Sequence, residues 1–515
     1  MRLTQRCSTR QLMTGCGVAS ALGLVVGGAA LIAARVRGDF ALLPRLAFDP
    51  AFFFAFFLPP IIFNAGLSVE KAALYHHLQP VLLLGVLGTM VNCIVVAAGT
   101  SFAVDFLGGY PLSRRDCLAL GATFGATDTV ATLQVLSPTA APSLFALVLG
   151  EGCINDAMSL VLLRALEAVP DGRTALAARP TSGGMLALAA RFVYLLIASA
   201  ILGFAVGIMA CAAARYVNVR LSNASGDVVE LEVVVISLVA YLAYLLAESL
   251  GLSGILSIFV AALAISHYGL RCISRPARSV TLHAVSALSF MSEITIFVYT
   301  GIATLDRAVW ALARPGEVFA LVSSVGALLL ASRALTVAAV AAAGIWLQGP
   351  SSAAARGHDP SAPCISFREA GVVWWAGSMR GAVSVAIATH HFAVAAPGRG
   401  AMHLPQPNTP EAEELRTRAS VIAATFIIVL GSTMFFSAGT RPFLLRVLPE
   451  AVASMDGAHG ACTSPLADGD HVGDAPSEAY SWLQRMWRGM DEHYLAPLLL
   501  QAPPSNQQSR YTELQ

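Results

Sequence analysis

Glu151, Asn155 and Asp156 stand in the run LGEGCINDAMSL (149–160), with apolar residues on both sides. A carboxylate inside such a run is expensive, so each one needs a partner or a purpose. Asn155 follows Glu151 by four residues and shares its helix face. Asp156 lies about 100° further round. A carboxylate deprived of water holds a proton more readily than one in solution, and its oxygens also suit a hard cation. A proton and a monovalent cation competing for one Asp, exposed in turn to the two sides of a membrane, suffice for antiport. Asn155 matters because it is neutral. A second carboxylate there would add charge to the site, whereas an amide points to one cation exchanged for one proton. Glu151 then requires neutralisation, and Arg333 is the leading candidate.

The other ionisable residues within apolar runs are Asp128, Arg164, Glu248, Glu293, Arg333 and Arg380. Arg164 and Glu248 lie near run ends, where long side chains snorkel to water. Asp128, Glu293, Arg333 and Arg380 sit deeper, where pairing or function is the default. Two runs are also internally broken. One, at 117–137, contains GATFGATDTVATLQVL, with Gly121 and Gly125 beside the polar centre around Thr127 and Asp128. The other, at 370–394, contains WWAGSMRGAVSVAIA, with Gly377, Arg380 and Gly381. They are the fourth and eleventh of twelve runs, so they cross in opposite directions, as inverted repeats do, and such paired interruptions point to a transport site at mid-membrane. Asp128 is placed to offset the positive N-terminus of a half-helix, and Arg380 the negative C-terminus of another.

Positioning these groups requires a polytopic helical membrane protein. Of 515 residues, 56% are hydrophobic and 12% charged, against about one-quarter charged in soluble domains; the mean hydropathy is +0.68. The runs read as twelve helical spans at 12–34, 50–66, 79–106, 117–137, 143–167, 190–214, 228–249, 252–270, 281–303, 317–347, 370–394 and 418–440. Period-2 alternation, the mark of a membrane barrel, is absent. The domain reading is a short N-terminal segment (1–11), an exchanger domain (12–440) and a C-terminal cytosolic tail (441–515). Within the domain, 348–369 reads as a polar hinge and 395–417 as a Pro-rich loop. In the tail, 449–478 reads as flexible and the stretch around Trp482 and Trp487 as an amphipathic helix. Basic residues divide almost evenly between alternate loops, so charge does not orient the chain.

Composition excludes several functions. The 32 basic and 31 acidic residues leave no basic face for nucleic acid. The nine cysteines show no metal spacing and read as small hydrophobes. His76–His77 and His390–His391 read as interfacial pairs. No nucleotide-binding or hydrolase motif occurs, so neither an enzyme nor a cofactor is expected.

The segments FFFAFFLPPIIFNAGL, GATDTVATLQVL, LVLGEGCINDAMSLVL, LSGILSIFVAALAISHY, SFMSEITIFVYTGIATLD and WWAGSMRGAVS resemble the monovalent cation/proton antiporters. They are closest to plant-type vacuolar Na⁺(K⁺)/H⁺ exchangers, and YSWLQRMWRGMDEHYLAP is similar to a tail motif of that group. The resemblance runs from about residue 18 to 449. It implies an all-α fold of about twelve transmembrane helices with inverted repeats and two crossed broken helices. It further implies a homodimer in which a mobile core domain moves against a dimerisation domain. Asp156 and Asn155 would bind cation and proton, with Thr127 and Asp128 lining the site. Glu151 and Arg333 would form a structural ion pair, and Arg380 would support the helix crossing. Glu293 would be an acidic position affecting transport. Asn64 lies in the FNAG form that favours the vacuolar group, beside an inhibitor-linked segment, Leu58, Pro59, Pro60, Ile61, Ile62 and Phe63. In that family one more helix precedes the first span, where this sequence has eleven residues.

The expected function is therefore electroneutral exchange of Na⁺ or K⁺, and in principle Li⁺, for H⁺ across an intracellular membrane, in service of pH and cation homeostasis. The vacuolar membrane is the expected site, with endosomal and plasma membranes as alternatives; a regulatory protein could bind the tail. Na⁺ and K⁺ stand equal, since both want oxygen ligands. An electrogenic antiporter, a cation channel and a non-transporting scaffold are the rival readings.

Overall fold

An apolar run with no water around it must close its backbone hydrogen bonds within itself, which a helix does. The computed structural model describes residues 14–37, 48–69, 78–107, 112–137, 140–167, 182–221, 228–348, 366–393 and 410–449. The tail from residue 450 onward, with its expected helix near Trp482 and Trp487, lies outside them, as does the His76–His77 pair. All regular structure among the described residues is helical.

The helices are α1 (Gly15–Arg37), α2 (Pro50–Ser68), α3 (78–107), α4 (Arg114–Thr123), α5 (Val130–Leu133), α6 (Pro142–Glu167), α7 (Ser182–Leu221), α8 (Val228–Ser249), α9 (Gly254–Cys272), α10 (Arg275–Ala303), α11 (Arg307–Leu312), α12 (Pro315–Gln348), α13 (Phe367–Ala376), α14 (Ala382–His391) and α15 (Pro410–Val447). Ten helices among the described residues are long and apolar enough to cross a membrane. The remaining two apolar runs are each split into two, α4 with α5 and α13 with α14. The chain is thus an all-helical, multi-pass membrane protein.

Several boundaries differ from the sequence reading: α10 starts at Arg275 rather than 281, and α15 runs on to Val447, past the expected end of the exchanger domain at 440. Residues 410–417, expected as loop, open α15, because Pro410 suits a first turn and Glu411 and Glu413 complement its dipole. Residues 366–369, expected in the hinge, form the cap and first turn of α13 through a capping box of Ser366 and Glu369. Helix α7 runs 40 residues, Ser182–Leu221, past the apolar stretch 190–214 at both ends.

Two compact units result. The first gathers the described residues up to 58, those of 78–195 and those from 290 onward. Its core joins Phe124, Leu163, Val325, Val385, Val421 and Phe426. Helices α1 and α10 touch backbone to backbone within it: a Cβ on Gly23 would strike the Val298 carbonyl, and one on Gly301 the Ser20 carbonyl. The second unit holds residues 59–69 and 196–289. There α7 rests on α9 through Gly203, which faces the Ser257 carbonyl. Gly251, at φ +68°, turns the chain from α8 into α9.

The glycine contact yields a test. Gly301→Val should lower the stability of the purified protein by about 1–3 kcal/mol, the usual range for overpacking. Gly28→Ala, whose added Cβ meets open space, should not lower the thermal midpoint.

Candidate functional site

Breaking a helix at membrane depth strands carbonyls and N–H groups, and protein must satisfy them. Both broken runs start alike. Ser113 and Asp116 form a capping box on α4, Ser366 and Glu369 one on α13, and each helix runs ten residues before it stops. At the end of α4, Asn92 Nδ2 donates to Phe124 O at 2.8 Å and Ser384 Oγ to Thr123 O at 3.0 Å. Ser332 Oγ in turn donates to Asn92 Oδ1 at 2.5 Å. In the second break, Thr433 Oγ1 donates to Arg380 O at 3.2 Å, and Arg380 N–H to Ser432 Oγ at 3.2 Å.

The two breaks also join each other. Asp128 N–H donates to Met379 O at 3.0 Å, and Arg380 Nη1 donates to Ala126 O at 2.9 Å. Asp128 Oδ1 accepts from the N–H of Val130, the first residue of α5, at 3.0 Å. Glycines 377 and 381 are not there for unusual backbone, since their φ values are −85° and −119°. They provide room. A Cβ on Gly377 would collide with the Arg333 guanidinium, and one on Gly381 would come within 2.5 Å of Asp128 Oδ2.

Helix α6 lies beside the breaks. Glu151 is 0% exposed and Arg333 6%. The guanidinium grips the carboxylate with both Nη atoms, Nη2 reaching Oε2 at 2.9 Å, and Nη2 also donates to Val373 O at 2.7 Å. Asn155 is fully engaged: Oδ1 accepts from Thr89 Oγ1 at 2.8 Å, while Nδ2 faces Thr127 Oγ1 at 2.8 Å and Glu151 Oε1 at 3.3 Å. Asp156 differs. Its Oδ1 is buried and has no hydrogen-bond partner among the described residues, and its charge feels Asp128 and Arg380. A small cavity on the Asn155 side of the network is lined by Thr89, Asn92, Thr127, Asn155, Arg333 and Arg380, among others.

Asp156, Asn155, Asp128, Thr127, Glu151, Arg333 and Arg380 therefore gather in one network in the first unit. Glu293, partly buried on α10, lies within electrostatic range of Asp128, and its neighbours Ile294 and Phe297 pack with Ala131 and Met379. The segment 58–63, expected from the resemblance to be inhibitor-linked, sits on α2 with Leu58, Ile62 and Phe63 buried. Asn64 belongs to the second unit, where its Oδ1 accepts from Ser68 Oγ at 3.5 Å. His391 meets Glu167 at 3.4 Å; no group of His, Cys, Asp and Glu among the described residues is arranged to hold a metal ion. Sequence reasoning missed Thr89, Asn92 and Ser332. Their signal was available, as polar residues inside apolar runs, but hydroxyls and amides stand out less there than charges.

The buried pair carries a clear expectation. Glu151→Gln leaves the Arg333 charge uncompensated and should cost about 3–5 kcal/mol of stability, read as a lower thermal midpoint in detergent. Gly381→Ala should destabilise by about 1–3 kcal/mol as the Asp128 carboxylate is displaced. Gly371→Ala, facing open space, is the control and should melt like the unmodified protein.

Residues 10–446 match the family model for the sodium/hydrogen exchanger transmembrane region. The chain is 30% identical over 477 residues to sodium/hydrogen exchanger 4 of Arabidopsis thaliana, covering 88% of this chain and 84% of that one. It is 33% identical over 405 residues to sodium/hydrogen exchanger 1 of Oryza sativa subsp. japonica, covering 78% and 69%. The fold is similar to that of the sodium proton antiporter MjNhaP1 from Methanocaldococcus jannaschii, with TM-score 0.51 at 15% identity, over 84% of this chain and all of that one. By sequence and fold together, the chain belongs to the sodium/hydrogen exchanger family of secondary transporters.

Proposed function

We propose that the protein is an electroneutral antiporter that exchanges one Na⁺ or K⁺ for one H⁺ at Asp156. The observation that carries this reading is the Asp156 carboxylate, whose Oδ1 is buried without a hydrogen-bond partner among the described residues. Near it two other groups are committed: Arg333 matches the charge of Glu151, and three neighbours hold the neutral amide of Asn155. One carboxylate is left to take either a proton or a cation. Thr127 and Asp128 line that site from the first break, and Glu293 modulates it through Asp128.

The matched capping boxes and equal lengths of α4 and α13 support an inverted-repeat origin, with the two broken helices crossing at their interruptions. Arg380 supports the crossing by bonding the carbonyl of Ala126. The domain division is an exchanger domain at 12–440 followed by a cytosolic regulatory tail that could take a protein partner, and the working form is a homodimer. The FNAG form and the tail motif favour a vacuolar membrane, where a standing proton gradient would drive cation uptake. The segment 58–63 is the proposed inhibitor-linked stretch.

One observation favours a second reading. Asp128 and Asp156 interact electrostatically, and two coupled carboxylates could release two protons for each cation, which makes exchange electrogenic.

The test is reconstitution into vesicles with an internal pH dye. Imposed Na⁺ or K⁺ gradients should move protons, no steady current should flow in a planar bilayer at matched pH, and Asp156→Asn should abolish the movement. A steady exchange current selects the electrogenic alternative; an active Asp156→Asn refutes the site.

A further inference from the structure

Helix α3 does not pass α6 as a regular helix. Residues Leu83–Gly88 form a π-helical turn, a device that re-aims side chains near functional sites. Just there the helices touch: a Cβ on Gly85 would sit 2.6 Å from Ile154 Cγ2. One residue past this turn is Thr89, 3% exposed. Its methyl packs against the first break, 2.9 Å from where a Gly125 Cβ would stand. Its Oγ1 lies 2.8 Å from Asn155 Oδ1 and 2.6 Å from Gly85 O.

The orientation of the Asn155 amide follows from its neighbours. Glu151 Oε1, 3.3 Å from Nδ2, belongs to a carboxylate paired with Arg333 and accepts only. Turning the amide over would set two oxygens against each other, so the NH₂ faces Glu151 and Thr127 and the carbonyl faces Thr89. Among the described residues that carbonyl has one donor within reach, the Thr89 hydroxyl, and the hydroxyl has one proton to divide between Asn155 Oδ1 and Gly85 O. From Asn155 the polarity continues. Nδ2 donates to Thr127 Oγ1 at 2.8 Å, which turns the Thr127 hydroxyl proton elsewhere.

We infer that Thr89 is a positioning residue of the exchange site, its hydroxyl fixing the Asn155 amide and, through it, the direction of the Thr127 hydroxyl beside Asp128. The chain Thr89, Asn155, Thr127 links α3, α6 and the first break in one hydrogen-bond direction. Loss of the hydroxyl leaves the Asn155 carbonyl without a donor among the described residues, and the amide, still kept from turning over by Glu151, loses the anchor that sets its tilt. The Asn155 and Thr127 oxygens are then held less firmly, while the Asp156 carboxylate itself is untouched. The effect falls on cation affinity rather than on the maximal rate. The inference rests on the exchange reading above.

The experiment is Na⁺ titration of proton movement in vesicles for the unmodified protein, Thr89→Val and Thr89→Ser. Thr89→Val, nearly the same shape, should raise the apparent KM for Na⁺ about fivefold to tenfold, the scale of one buried hydrogen bond. The maximal rate per correctly inserted protein should change less than twofold, and Thr89→Ser, which restores the donor, should recover most of the affinity. Thr89→Ala serves in the same titration if the valine variant does not reach the membrane. An unshifted KM in the variant lacking the hydroxyl overturns the role of Thr89, and so does an equal loss in Thr89→Ser. Unmodified protein that moves no protons refutes instead the exchange reading beneath it.

Discussion

Arg333 carries a full charge to the middle of a membrane protein, and that charge organises what surrounds it. A buried cation is tolerable only when an anion and further acceptors surround it. Glu151 supplies the anion and Val373 O another acceptor, so one side chain on α12 ties α6 to the end of α13. The guanidinium also needs space, and Gly377 provides it by lacking a Cβ where the Arg333 side chain lies. The position of the second break is therefore coupled to the position of the helix that bears Asn155 and Asp156. A shift in any of the three elements would expose an unpaired charge.

The breaks repeat this logic at lower charge. Each interrupted helix leaves carbonyls with no intrahelical donor, and side chains from α3, α14 and α15 reach in to supply one: Asn92 to Phe124 O, Ser384 to Thr123 O, Thr433 to Arg380 O. Asp128 and Arg380 then bond across the junction, so neither break is complete without the other. Gly381 does for the Asp128 carboxylate what Gly377 does for the Arg333 guanidinium. Both glycines act through the volume they leave open rather than through backbone freedom, as their ordinary φ angles show.

This division explains what was legible in the sequence. Charges in apolar runs announce themselves, because burial forces them to pair. Glu151, Asp156, Arg333 and Arg380 could therefore be singled out, and the polar interruptions at 125–129 and 377–381 marked both breaks. Thr89, Asn92 and Ser332 were not legible as site residues. A threonine in an apolar helix usually bonds the carbonyl four residues back, and only the approach of α3 to α6 gives Thr89 its second acceptor. The π-helical turn that permits the approach has no composition of its own. The start of α15 at Pro410 was misread for a related reason: a Pro-rich loop and a helix opening on proline look alike until the following turns are seen to close.

The same network bears on why one carboxylate at this junction differs from the rest. Asn155 holds three partners, Glu151 is gripped by a guanidinium, and Asp128 spends Oδ1 on the N-terminus of α5. These bonds hold Asn155, Glu151 and Asp128, and none of them supplies Asp156 Oδ1 with a donor. If exchange takes place at Asp156 as proposed, this deficit is functional. A fully satisfied carboxylate would bind neither ligand, and a loosely held surrounding would satisfy it from within. Under the proposed mechanism the site is stable only with a proton or a cation in place, and the stiffness of the Arg333 assembly keeps the protein from substituting a side chain of its own.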